Sequence, residues 1–204
     1  ITSILIFAME FSNPGTIGNL GFIDKISNSI FQAITLRTAG FASIDQSKLL
    51  DSSSVLSILN MFIGGSPAGT AGGIKTTTFA LLIIVALSEI KGQEDVEVFN
   101  RRIRFSQVKK ALGIITLSMV WVIFVTFAIL VIDKAKYLDV VFEVVSAFGT
   151  VGLTRSLTPG INSISKILII STMYIGRVGS LTILYALSNT KNKKAYKEAH
   201  ENII

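Results

Sequence analysis

Between Ala111 and Ile132 the chain runs through 22 residues without a charge. Wound as a helix, this stretch is about 33 Å long, enough to cross a hydrocarbon core of about 30 Å. A polar break, Asp133 to Lys136, follows. Next comes an apolar run from Tyr137 to Phe148, with Asp139 as its expected N-cap. That run covers only about 18 Å as a helix. It reads as a half-helix that enters the membrane and passes into irregular backbone. Such backbone is stable at that depth only where protein buries it or a watery cavity wets it. A second span is predicted from Asn162 to Ser188.

The earlier part of the chain follows the same order. Asp24 to Leu36 is predicted as a half-helix, preceded by a turn from Phe11 to Ile23 that contains Asn13-Pro14-Gly15. The opening apolar run, Ile1 to Met9, is too short to span and has no basic segment before it, so no signal peptide is read there. It is expected to be the end of a transmembrane helix, and the sequence to be a fragment. From Ser52 to Ile90 the chain is mostly apolar for 39 residues, about 58 Å if helical. Its middle, Gly64 to Gly73, holds five glycines and a proline in ten residues. A regular helix does not survive that density of breakers. The segment is predicted to be a broken helix with an intramembrane loop.

The two parts align without a gap. Thr38-Ala39-Gly40-Phe41 matches Thr150-Val151-Gly152-Leu153, and Met61-Phe62-Ile63-Gly64 matches Met173-Tyr174-Ile175-Gly176; 150 − 38 and 173 − 61 both equal 112. The fold class expected is all-α and membrane-integral, made of tandem helix, half-helix, filter-loop and helix repeats. Residues 1–90 form one pore-forming repeat with a truncated first span and a broken second one. Residues 91–106 form a basic cytoplasmic loop, 107–188 the second repeat and 189–204 a cytoplasmic tail.

Composition narrows the chemistry. Half of the residues are hydrophobic, 16% are charged and the mean hydropathy is +0.63. There is no cysteine, and the one histidine, His200, lies in the polar tail. Disulfides and cysteine metal sites are excluded, and no paired carboxylates lie in the spans, so an enzyme is not expected. The net charge of +6 does not imply nucleic acid, because the basic residues cluster. Arg101, Arg102, Arg104, Lys109 and Lys110 fall in one loop, and Lys191, Lys193, Lys194 and Lys197 in the tail. Both segments lie on one side of the predicted topology, which makes that side cytoplasmic. The half-helix loops then open from the outside, and Arg155 is the main outward basic residue.

Thr-x-Gly after a half-helix suits a potassium filter. Backbone carbonyls there replace the ion's water shell, threonine adds a hydroxyl, and glycine permits the dihedrals and the close approach. The negative end of each half-helix dipole faces the ion path. One such tripeptide means little, whereas two in register define a filter. The glycine-rich stretch ending in Lys75-Thr76 also hints at a phosphate loop, but Ile74 stands where that motif needs glycine and no strand precedes it. Arg177 is the only charge between Ile167 and Ser188. Intramembrane charges are costly and functional by default, so it is read as a barrier or latch on the loop. Lys75 is read equally as pore-lining or snorkelling. Glu143 is expected to cap backbone near the filter. Trp121 and Phe127 are read as packing or lipid contact.

The motifs Arg37-Thr38-Ala39-Gly40-Phe41, Ala147 to Thr154, Met61 to Thr78 and Met173 to Gly179 resemble the TrkH/KtrB/HKT superfamily of potassium transporters. The resemblance covers nearly the whole chain and is nearest to the third and fourth pore repeats of bacterial KtrB/TrkH proteins. It implies potassium uptake across the plasma membrane through a gated pore. The filter would be Thr38, Ala39, Gly40, Phe41, Thr150, Val151, Gly152 and Leu153, with potassium held at these residues. The gate would be Gly64, Gly65, Ser66, Pro67, Gly69, Thr70, Gly72 and Gly73 with Arg177. The resemblance also implies no covalent cofactor, sodium as a modulator, a homodimer, the remaining repeats, lipid, and a cytoplasmic nucleotide-binding regulatory ring of the KtrA/TrkA kind. The alternatives are another cation channel or a solute transporter with broken helices, or a non-transporting scaffold.

Overall fold

A computed structural model describes residues 1–67, 69, 71–92, 96–98 and 101–179. Seven helices lie among them: α1 (Thr2–Glu10), α2 (Phe22–Thr35), α3 (Asp51–Phe62), α4 (Thr76–Ile90), α5 (Phe105–Asp133), α6 (Tyr137–Phe148) and α7 (Ser163–Val178). A short antiparallel hairpin, β1 (Glu97–Val98) and β2 (Arg101–Arg102), departs from the all-helical expectation in the loop between α4 and α5.

The helix α6 is the centre of the molecule. Val140, Phe142, Glu143, Val144, Val145, Ser146, Ala147 and Phe148 are all buried. A helix apolar on every side must be enclosed, and α3, α5 and α7 each pack against it. The core joins Phe142, Val144 and Phe148 to Leu36, Met61, Ile74, Val125 and Ile129. Asp139 is not the N-cap of α6. Lys136 holds that position, and Asp139 lies in the first turn, where it binds Arg155 instead.

Among the described residues, α5 alone is long and apolar enough to cross a membrane by length and composition. One of its faces leaves Val120, Ile123, Phe124, Phe127 and Val131 exposed. Trp121 points elsewhere and donates its indole N–H to the Thr172 hydroxyl, at 3.1 Å. Between α3 and α4 none of the described residues from Ile63 to Lys75 is helical, and Ile63 and Ile74 form a single parallel bridge. The predicted second span to Ser188 is described only as far as Gly179; the rest of it and the basic tail lie outside the described residues.

Candidate functional site: two Thr-x-Gly turns and a glycine-rich loop

The C-termini of α2 and α6 converge. Each helix passes directly into a Thr-x-Gly turn, and each turn has the same unusual backbone. Thr38 and Thr150 have φ of 69° and 52°, and Gly40 and Gly152 have φ of 76° and 87°. Ala39 and Val151, between them, are not among the positive-φ residues. Alternating the sign of φ turns successive carbonyls toward one side, as a cation filter requires. A β-branched threonine with positive φ is a genuine outlier. Finding it at both equivalent positions marks backbone held in place by its surroundings.

Those surroundings can be named. The N–H groups of Ala39 and Gly40 both reach the Thr35 carbonyl, at 3.2 and 3.4 Å. The Val151 N–H donates to the Ser146 carbonyl at 2.9 Å. The helix ends are thus tied down by the turns that follow them. The two turns also touch. The Thr38 hydroxyl donates to the Gly149 carbonyl at 3.2 Å, and a Cβ on Gly40 would collide with the Val151 carbonyl. Val151 and Leu153 are buried, whereas Phe41 is 71% exposed.

The loop between α3 and α4 lies against the second turn. The Gly72 N–H donates to the Thr150 hydroxyl oxygen at 3.1 Å, and the Gly73 N–H donates to the Gly176 carbonyl of α7 at 3.3 Å. The Gly65 carbonyl accepts from the Thr76 N–H at 3.2 Å, and that of Ser66 from the Gly69 N–H at 3.2 Å. Gly64 is buried and its carbonyl accepts from Arg37 Nη1 at 2.9 Å. Lys75 turns back on the loop, with Nζ 2.6 Å from the Ala71 carbonyl and 3.2 Å from that of Gly69. Ser66 and Pro67 are exposed at the loop's far end, and Thr70 lies outside the described residues. Arg177 follows Gly176 in the last turn of α7, one residue from the carbonyl that binds Gly73.

Arg37 and Arg155 are not among the site residues named from the sequence, and Lys75 reads there equally as pore-lining or snorkelling. Arg37 stands where the aligned turn has Gly149, since 149 − 37 is 112, and that asymmetry was its only signal. Lys75 holds loop carbonyls. Arg155 bridges the halves of the chain: Nε meets Asp139 at 2.7 Å, and Nη1 reaches the Gln46 carbonyl at 3.2 Å and the Ser54 hydroxyl. Glu143 is buried on α6, and its carboxyl approaches the Thr154 hydroxyl and the backbone of Arg155 and Thr158. Beyond the first turn, the hydroxyl and the N–H of Ser47 hold the Asp45 carboxyl below the ordinary carboxylate range.

Two helix C-termini, their Thr-x-Gly turns and a backbone loop thus meet in one place. Residues 1–197 match the TrkH family, described as cation transport protein, and the chain belongs to that family. It is 41% identical over 191 residues to the Ktr system potassium uptake protein B of Bacillus subtilis, covering 94% of this chain and 43% of that protein. It is 38% identical to the potassium/sodium uptake protein NtpJ of Enterococcus hirae, covering 100% of this chain and 47% of that protein. The crystal structure of the potassium transporter TrkH from Vibrio parahaemolyticus superposes with a TM-score of 0.79 at 18% identity, over 92% of this chain and 42% of that one. The fold is therefore the mostly helical fold of this membrane-transporter family. The chain spans about half the length of the curated relatives it matches.

Proposed function

We propose that the chain supplies two quadrants of a potassium-conducting pore and the gate beneath them. The observation that carries this reading is the shared backbone of the two turns, with positive φ at Thr38, Gly40, Thr150 and Gly152. The filter is Thr38 to Phe41 and Thr150 to Leu153, and it takes potassium on backbone carbonyls and threonine hydroxyls. The intramembrane gate is Gly64 to Gly73, with Arg177 beside it. The repeat assignment draws support from α3 and α7, which start at Asp51 and Ser163, again 163 − 51 = 112 apart. α7 continues helical to Val178 where α3 stops at Phe62, so the glycine-rich loop replaces the end of one span.

The remaining half of the pore is proposed to pack on α2, whose Ile23, Ile30 and Ile34 are 76%, 46% and 63% exposed and lie at helical spacing. Lipid, a homodimeric partner and a nucleotide-binding regulatory ring at the hairpin loop and the tail complete the proposed assembly in the plasma membrane. Uptake runs down the electrochemical gradient, with the basic loop and tail cytoplasmic. A second reading, conduction of sodium as well, is favoured by the name of the Enterococcus hirae relative. The test is rubidium uptake by the intact protein in liposomes. Competition by potassium, and not by sodium or organic solutes, supports the first reading. Equal competition by sodium supports the second, and competition by an organic solute overturns both.

A further inference from the structure

We propose that the Thr150 hydroxyl is shared between the innermost cation position and the glycine-rich loop, so that a bound cation and a seated loop disfavour one another. The inference rests on the cation-filter reading above. Thr38 and Thr150 occupy equivalent positions in the two turns and have the same left-handed backbone. Their hydroxyls differ. Thr38 donates to the Gly149 carbonyl at 3.2 Å, whereas Thr150 accepts from the Gly72 N–H at 3.1 Å. Among the described residues, the loop is therefore bonded to one filter threonine and not to the other.

The contact requires glycine. A Cβ at position 72 would lie 2.5 Å from the Thr150 Oγ1 and 2.6 Å from its Cγ2. Gly72 is buried, and its neighbour Gly73 is anchored to the Gly176 carbonyl at 3.3 Å. The amide is thus aimed at the hydroxyl from a fixed position. A cation coordinated by this hydroxyl takes one of the oxygen's two acceptor lone pairs while the amide N–H takes the other. It would then face the positive end of the Gly72 N–H dipole across a single oxygen atom, in a setting that screens charge poorly. Each state disfavours the other, and by linkage the effect is reciprocal. Potassium in the innermost position weakens the loop's seat, and a seated loop lowers the occupancy of that position. Conduction then favours its own continuation when potassium is plentiful.

The test is the open fraction of the intact protein in a lipid bilayer, recorded against potassium concentration at fixed driving force. The open-to-closed ratio of the wild type rises with potassium. Thr150→Ser keeps the oxygen and keeps the rise. Thr150→Val loses it and raises the ratio at low potassium by roughly two- to ten-fold, the size of one net hydrogen bond. Gly72→Ala, whose Cβ meets the Thr150 side chain and pushes the loop off the hydroxyl, gives a similar increase. A wild-type ratio independent of potassium overturns the coupling and leaves the transport reading standing. So does a potassium dependence that persists in Thr150→Val. Absence of any cation current in the wild type overturns the transport reading, and the coupling with it.

Discussion

Arg155 joins segments more than a hundred positions apart in the chain, reaching Asp139, the Gln46 and Leu49 carbonyls and the Ser54 hydroxyl. Its side chain is only 9% exposed and that of Asp139 23%. Charge-assisted hydrogen bonds in such partly buried settings contribute about 1.5–3 kcal/mol each. Truncating one partner also leaves the other charge uncompensated. Arg155→Gln is therefore expected to lower the unfolding temperature of the purified protein by several degrees. Asp139→Asn in the Arg155→Gln background should add little, because the pair is already broken. Additive losses from the two substitutions would show that the residues act independently. None of this was legible beforehand. Arg155 read only as the main outward basic residue, since spacing in a sequence does not say which loops meet.

At the scale of elements, the half-helix α6 was readable to the residue. A polar break precedes it, and the apolar run stops at Gly149-Thr150. The predicted start of α2 at Asp24 falls two residues inside its observed start at Phe22, because the apolar Phe22 and Ile23 join the first turn. The interruption between α3 and α4 followed from glycine density alone. What the sequence withheld was the loop's destination. The Gly72 and Gly73 N–H groups bind partners on two different later elements, and periodicity contains no such information. Shortening Gly64 to Gly73 should raise flux, because the loop then no longer reaches Thr150 and Gly176. A folded, shortened protein with unchanged rubidium flux would refute its role as a barrier. Gly176→Ala is expected to disturb the same region from the other side, since its Cβ would meet the Phe148 carbonyl. Reduced yield or altered gating, read by size-exclusion profile and flux, checks it.

At the scale of the molecule, the asymmetry matters as much as the repeat. One unit supplies a glycine loop and Arg37 bound to the Gly64 carbonyl. The other supplies Thr150 and Gly176, against which the loop lies. On the proposed reading, the equivalent turns form a shared filter and their unequal supports a gate. The most direct measurement is the relative uptake of potassium and sodium by the intact protein with Gly40→Ser or Gly152→Ser. Both glycines have positive φ, which costs a side-chain-bearing residue about 1–2 kcal/mol. A Cβ on Gly152 would meet no atom within 4 Å, whereas one on Gly40 would face the Val151 carbonyl, so Gly152→Ser should fold the more readily of the two. Both substitutions are predicted to reduce the preference for potassium, in the same direction. Selectivity unchanged in a folded Gly152→Ser protein would contradict the filter.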